Sequence, residues 1–318
     1  MEFDEILKHI GQCGQWQIRI HFWMWLASAA SGLAVVVYTF TAFDVGYRCI
    51  NPYCENPMSA IYNDTNLDET LSACEYQRFQ KQILPPPRVP NEQHCQDYHR
   101  LYAEQPDNIV ELQCSHDALV FDQSMVTSSL IQDYGFTCKN AYLKSIYGSL
   151  YMLGMLVGSY IVGAISDKYG KIKALMLSIV LVSVSGFLCA FMPTAHGFGF
   201  FRFLTGVGGI NCYNVPFVIT IESVGIKYAV LAGVIIAIPF SLGQLLLGLE
   251  AYFIRDWFIL QLVAYTPIII LLGIYFLVPE SPRWLIATGG YEDAVKIIKT
   301  AAIANKRDVP DSMLEVTR

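Results

Sequence analysis

Six long apolar stretches of this chain contain one charged residue between them, Arg202. A cation near mid-bilayer costs about 2.5–3.5 kcal/mol or more unless it is paired or wet, so Arg202, five residues into its stretch, either snorkels toward the interface in a structural role or is held by partners inside the bundle. Two aromatic pairs stand at helical i,i+4 spacing, Tyr147 with Tyr151 and Tyr213 with Phe217, and each presents two rings on one face. Such a face can hold an ammonium group against the negative ring faces, or it can simply pack. Tyr38, Asn211 and Asn214 are polar groups in otherwise apolar runs and join them as candidate ligand contacts. Six cysteines, Cys49, Cys54, Cys74, Cys95, Cys114 and Cys138, crowd into one polar segment. That even number reads as a disulfide framework in an oxidising compartment, with the pairing left open. Asn63-Asp64-Thr65 is a glycosylation sequon in the same segment. His94, Cys95 and His99 have metal-ligating side chains, but disulfides would take the sulfur, and no metal is expected.

The elements that must position these groups follow from how charge is spaced. The chain has 318 residues, 54% of them apolar and 15% charged, with a mean hydropathy of +0.39. The apolar stretches cover 22–43, 146–165, 174–192, 197–221, 228–249 and 257–278. Each is about 20 residues, which at about 1.5 Å per residue crosses the roughly 30 Å of hydrocarbon in a bilayer. Ala27-Ser28-Ala29 has the look of a leader cleavage site, yet the apolar run before it is too short, so the first stretch is read as a retained helix. This gives an amino-terminal segment 1–21, a first membrane helix 22–43, a cysteine-rich loop domain 44–145, five further membrane helices within 146–278, and a terminal segment 279–318.

Residues 44–144 hold 14 acids against 7 bases, and the rest of the chain carries +1. That excludes a basic nucleic-acid face and suits an exterior surface that attracts cations. Lys8, Arg19, Lys168, Lys171, Lys173, Lys227, Arg283, Lys296 and Lys299 all fall on the other side, a positive-inside bias that places both termini in the cytoplasm. Residues 291–304 open with Glu292 and Asp293 and continue with Lys296 and Lys299, as suits an amphipathic helix with a Glu292–Lys296 i,i+4 pair. Phosphate loop, HExxH and nucleophile elbow are all missing from the sequence, and no enzymatic activity is expected.

The turn between the second and third stretches reads Gly163-Ala164-Ile165-Ser166-Asp167-Lys168-Tyr169-Gly170-Lys171. Gly163 would let the helix end pack closely, and Gly170 would permit a tight return. This run resembles the signature of the major facilitator superfamily, although Ile172 stands where a base is usual. After the sixth stretch, Pro279-Glu280-Ser281-Pro282-Arg283-Trp284-Leu285 resembles the organic cation and carnitine transporter family within it. Phe3 to Leu7 with Gly11 and Gly14, Ala251 to Trp257, Phe201 to Gly206, and Thr220-Ile221-Glu222 extend the likeness over nearly the whole chain.

The resemblance implies an all-α membrane protein whose six transmembrane helices form one half of a major facilitator superfamily fold, with a disulfide-rich extracellular loop domain. It implies multi-pass insertion in the plasma membrane and transport of organic cations or zwitterions such as carnitine by alternating access. Gly163, Asp167, Lys168, Gly170, Lys171, Arg202, Glu222, Glu280 and Arg283 inherit gating or latch roles. Tyr213 and Phe217 fall where carnitine-type relatives carry Tyr and Phe. Full members have twelve helices, so an amino-terminal half would need a second half or self-association. No cofactor is implied beyond sodium as a coupling ion, and membrane potential alone is the other driving force in such relatives. The competing expectation is a non-transporting membrane protein whose disulfide-bonded ectodomain binds partners.

Overall fold

The computed structural model describes residues 3–51, 53–55, 60, 62, 74–79, 92–104, 109–115 and 118–307. Two units emerge, one of Met1–Thr41, Ile146–Ile254 and Phe258–Arg318, the other of Ala42–Ser145 with Arg255–Trp257. The first opens with α1 (Phe3–Ile10) and α2 (Gln15–Thr41). The second holds β1 (Tyr47–Cys49), β2 (Glu75–Phe79), α3 (Glu92–Glu104), β3 (Ile109–Gln113), β4 (Leu119–Phe121) and α4 (Leu130–Asp133). The chain continues through α5 (Tyr142–Tyr169), α6 (Lys171–Ala190), α7 (Ala195–Gly209), α8 (Asn211–Ser223), α9 (Ile226–Ile235) and α10 (Ala237–Phe253). It ends with α11 (Trp257–Tyr265), a 3-10 segment Thr266–Gly273, α12 (Ile274–Leu277), α13 (Pro282–Ala287) and α14 (Tyr291–Ala304).

Six helical spans among the described residues are long and apolar enough to cross a membrane. They are helices because hydrocarbon offers the backbone no outside hydrogen-bond partner. Three are interrupted. The fourth breaks at Ile210, between α7 and α8. The fifth breaks at Ile236, where the Pro239 ring would collide with the carbonyl four residues back. The sixth tightens into its 3-10 segment at Pro267.

Small residues bring the helices together. A Cβ on Gly154 of α5 would run into the Phe203 carbonyl of α7, and one on Gly206 into the Tyr151 carbonyl, so the two backbones cross in contact. The core joins Met24, Ala27 and Val37 to Leu175, Ile179, Cys212, Ile236, Leu247 and Tyr265. The first, third and fourth spans bury 50, 56 and 61% of their apolar windows, the second and fifth only 22% each. The outer faces of α5 and α9–α10 therefore meet something other than this bundle.

At one end, α1 lays Ile6 and Ile10 on Ile298, Ala301 and Ala302 of α14. Asn305 fixes that pairing. Its Oδ1 accepts from Trp16 N at 3.0 Å, while Nδ2 donates to Ile10 O at 3.2 Å and Gln17 Oε1 at 3.0 Å. On the exposed face Lys296 bonds Asp293, three residues back, rather than the expected Glu292 four back. The Asp293 hydrogen bond raises the pKa of that ammonium above its ordinary value.

In the second unit β1 and β4 pair antiparallel, Arg48 opposite Val120, and β2 and β3 likewise, Gln77 opposite Glu111. Cys49 is bonded to Cys114, Cys54 to Cys95 and Cys74 to Cys138. Arg48 grips the buried Glu55 carboxylate with two bonds of 2.7 and 2.6 Å, and Asn51 N adds a third at 3.1 Å. Tyr53 stacks on Tyr98 with ring centres 4.9 Å apart. The sequon asparagine Asn63 lies outside the described residues.

Candidate functional site

One polar network gathers at the end of the bundle that holds the α5–α6 turn, the end of α8 and the start of α13. Gly170 makes the turn at a φ of +109°, in the region that favours glycine, and a Cβ there would strike the Glu280 carboxylate. Glu280 accepts from Lys171 N at 2.9 Å and from Ile172 N at 3.2 Å, which are the first free N–H groups of α6. A carboxylate in that place also faces the positive end of the helix dipole. The buried Lys171 ammonium is ion-paired with Glu222, and Glu222 accepts in turn from Ser281 Oγ at 2.9 Å. Ser281 Oγ caps α13 by accepting from Trp284 N, and Trp284 Nε1 donates to the Asp167 carbonyl at 2.8 Å.

Thus Gly170, Lys171, Glu222 and Glu280 form one connected set. Asp167 enters it only through its backbone, its side chain being exposed; Lys168 and Arg283 are exposed as well, Lys168 lying 5.2 Å from the Tyr169 ring. Gly163 departs from expectation. The space where its Cβ would stand is open, so among the described residues no neighbour packs closely there, and the crowded glycine is Gly170.

The second centre lies inside the bundle. Arg202, 2% exposed, is carried by α7, whose first turn is capped by Thr194 accepting from Gly197 N. The guanidinium carbon lies 4.2 Å from the Tyr151 ring centre and 4.9 Å from that of Tyr38. Nη1 donates to Tyr265 Oη at 3.2 Å, and Tyr265 Oη donates to Ala34 O at 3.3 Å. Tyr38 and Tyr151 therefore present their faces to the chain's own cation. Tyr147 is also buried; its ring crosses Phe198 edge to face and its hydroxyl lies 3.3 Å from His196 Nδ1.

Tyr213 and Phe217 are half-buried and stacked, ring centres 5.9 Å apart at 27°, with Phe240 of α10 5.1 Å from Tyr213. Asn214, half-buried, donates to Ser159 Oγ of α5 at 3.4 Å. Asn211 is buried, and its amide donates to Val207 O at 2.8 Å, which repairs the backbone where α7 gives way to α8. Sequence reasoning missed Tyr265, Ser281 and Asn305 as organising residues. A lone hydroxyl in an apolar run is the signal that could have marked the first.

In the second unit Cys54, Cys95 and His99 lie close enough to hold a metal, His99 Nε2 being 3.9 Å from Cys54 Sγ. The two sulfurs are bonded to each other, which removes the thiolates a metal would need.

A family model described as sugar (and other) transporter matches residues 110–317. The chain is 31% identical to the organic cation transporter protein of Drosophila melanogaster over 99% of its own length and 55% of that protein's. It is 28% identical to the mouse organic cation/carnitine transporter 2, covering 99% and 56%, and 28% identical to the beta-alanine transporter of Drosophila melanogaster, covering 96% and 52%. The chain spans about half the length of the curated relatives it matches. Among solved structures it is similar in fold to the xylose transporter XylE from E. coli in a partially occluded inward-open conformation. That match has a TM-score of 0.57 at 14% identity and covers 95% of this chain and 58% of the other.

Proposed function

Because the chain belongs to the sugar (and other) transporter family of the major facilitator superfamily, we propose that it serves the transport of small organic cations or zwitterions, carnitine-like compounds among them, across the plasma membrane. Three relatives whose names specify organic cations, carnitine or beta-alanine support this substrate class. The observation that carries it is the stacked, half-buried Tyr213–Phe217 face, the one candidate aromatic pair whose rings are not engaged by Arg202. Its six helices act as one wall of a central cavity and rock against a second six-helix bundle, a partner chain half or another copy. Under this reading the Lys171–Glu222–Glu280 network lies on the cytoplasmic side with both termini and latches the inner helix ends. Sodium or membrane potential supplies the driving force.

The test is uptake of radiolabelled carnitine and tetraethylammonium into liposomes holding the purified chain together with a second six-helix bundle of the family. Tyr213→Ala should raise KM by about tenfold, since a cation over an aromatic face contributes on the order of 1–2 kcal/mol when desolvated, while Tyr213→Phe retains affinity. Unchanged KM for both compounds in the alanine variant removes the aromatic face from the reading.

A further inference from the structure

The Arg202 guanidinium is poorly compensated where it stands. Among the described residues one acceptor, Tyr265 Oη, takes a proton from Nη1, out of five N–H donors on an arginine. That hydroxyl is neutral and gives its own proton to Ala34 O. The Tyr151 and Tyr38 rings attract a cation without bringing a negative charge to cancel it. None of the described ion pairs includes Arg202. Among the described residues its buried Nε has no hydrogen-bond partner, and neither has the buried hydroxyl of Tyr151, whose ring is the nearer of the two. A buried charge in apolar surroundings is kept by a counter-charge or by water, and the polar groups around it need partners.

We propose that Arg202 is an anion receptor, its Nε–H donating to a small monovalent anion. An arginine suits this because its planar fork offers parallel N–H groups to a carboxylate and a fixed positive charge to a halide. A carboxylate-bearing substrate and chloride are the two sources of such an anion. Tyr213 lies eleven residues further along, about 16 Å of helix axis, so an ammonium held at Tyr213–Phe217 and an anion at Arg202 are separate occupants for any short ligand. The site is independent of the transport reading, because anion binding is measured with no transport step.

The thermal midpoint of the purified wild-type chain, followed by tryptophan fluorescence, is compared in sodium chloride and sodium methanesulfonate at equal ionic strength. Carnitine and its methyl ester are then titrated in methanesulfonate. A saturable rise of a few degrees in chloride identifies the halide as occupant. A rise with carnitine, absent with the ester, identifies the carboxylate. Arg202→Gln should abolish the difference between salts and Arg202→Lys should keep part of it. The difference is the readout because Arg202→Gln also removes the Tyr265 bond and shifts the midpoint in both salts. Binding of radioactive chloride to the wild type, near one per chain, checks the halide arm without any variant. Equal wild-type midpoints in both salts and in carnitine, or a full salt difference surviving in Arg202→Gln, would overturn the proposal.

Discussion

Gly170 and Glu280 depend on each other. At a φ of +109°, alanine in place of Gly170 strains the backbone by about 1–2 kcal/mol, and its Cβ would also displace the carboxylate that caps α6. Gly170→Ala should therefore lower the thermal midpoint more than Glu280→Gln, which keeps the hydrogen-bond geometry and gives up about 0.5–1 kcal/mol of charge–dipole interaction. Equal midpoints for the two variants would show that the turn tolerates the side chain. Tyr265→Phe removes the acceptor of Arg202 Nη1 and should destabilise the bundle by about 1.5–3 kcal/mol, the range for a hydrogen bond to a charged group. Calorimetry or a detergent unfolding series checks it. Arg202 stood out in the sequence because a lone charge in an apolar run is conspicuous. What surrounds it did not, because i,i+4 spacing says that Tyr147 and Tyr151 share a helix face and nothing about what that face meets. It meets Arg202 at Tyr151 and Phe198 with His196 at Tyr147. The glycines of the turn failed differently. A motif names the positions where glycine recurs, whereas the backbone angle that makes one of them indispensable arises only when α6 docks on Glu280.

The six membrane helices were legible because bilayer thickness sets their length and charge marks their ends. The strands of the second unit were not. They are three to five residues long, and β1 finds its partner some seventy residues later, a pairing that local pattern does not encode. Asn305 belongs at this scale too, since one amide joins α14 to the end of α1 and the start of α2. Asn305→Ala should cost about 1–3 kcal/mol by leaving Trp16 N and Ile10 O short of a partner. Hydrogen exchange should then speed up together in residues 3–17 and 291–304, with α5 to α8 unchanged. Acceleration in only one of the two segments would mean that the amide does not couple them.

For the molecule as a whole, the second and fifth spans bury only 22% of their apolar windows, so α5 and α9–α10 present long oily faces. Monomeric chain in liposomes should show no saturable uptake of carnitine or tetraethylammonium, and mass measurement in detergent should find it paired or aggregating. Saturable uptake by a species proven monomeric would end the two-bundle reading. The disulfide connectivity carries a consequence for biosynthesis. Cys54–Cys95 lies inside Cys49–Cys114, and Cys74–Cys138 crosses both. The first two of these six thiols to emerge from the ribosome, Cys49 and Cys54, are neighbours that must not pair with each other. The last native bond waits for Cys138, which comes 43 residues after Cys95, several seconds at about 5–20 residues per second. Thiol exchange, which runs from seconds to hours, therefore sets the pace of maturation more than translation does. Newly made chains should pass through mixed disulfides with an oxidoreductase before they leave the compartment of synthesis.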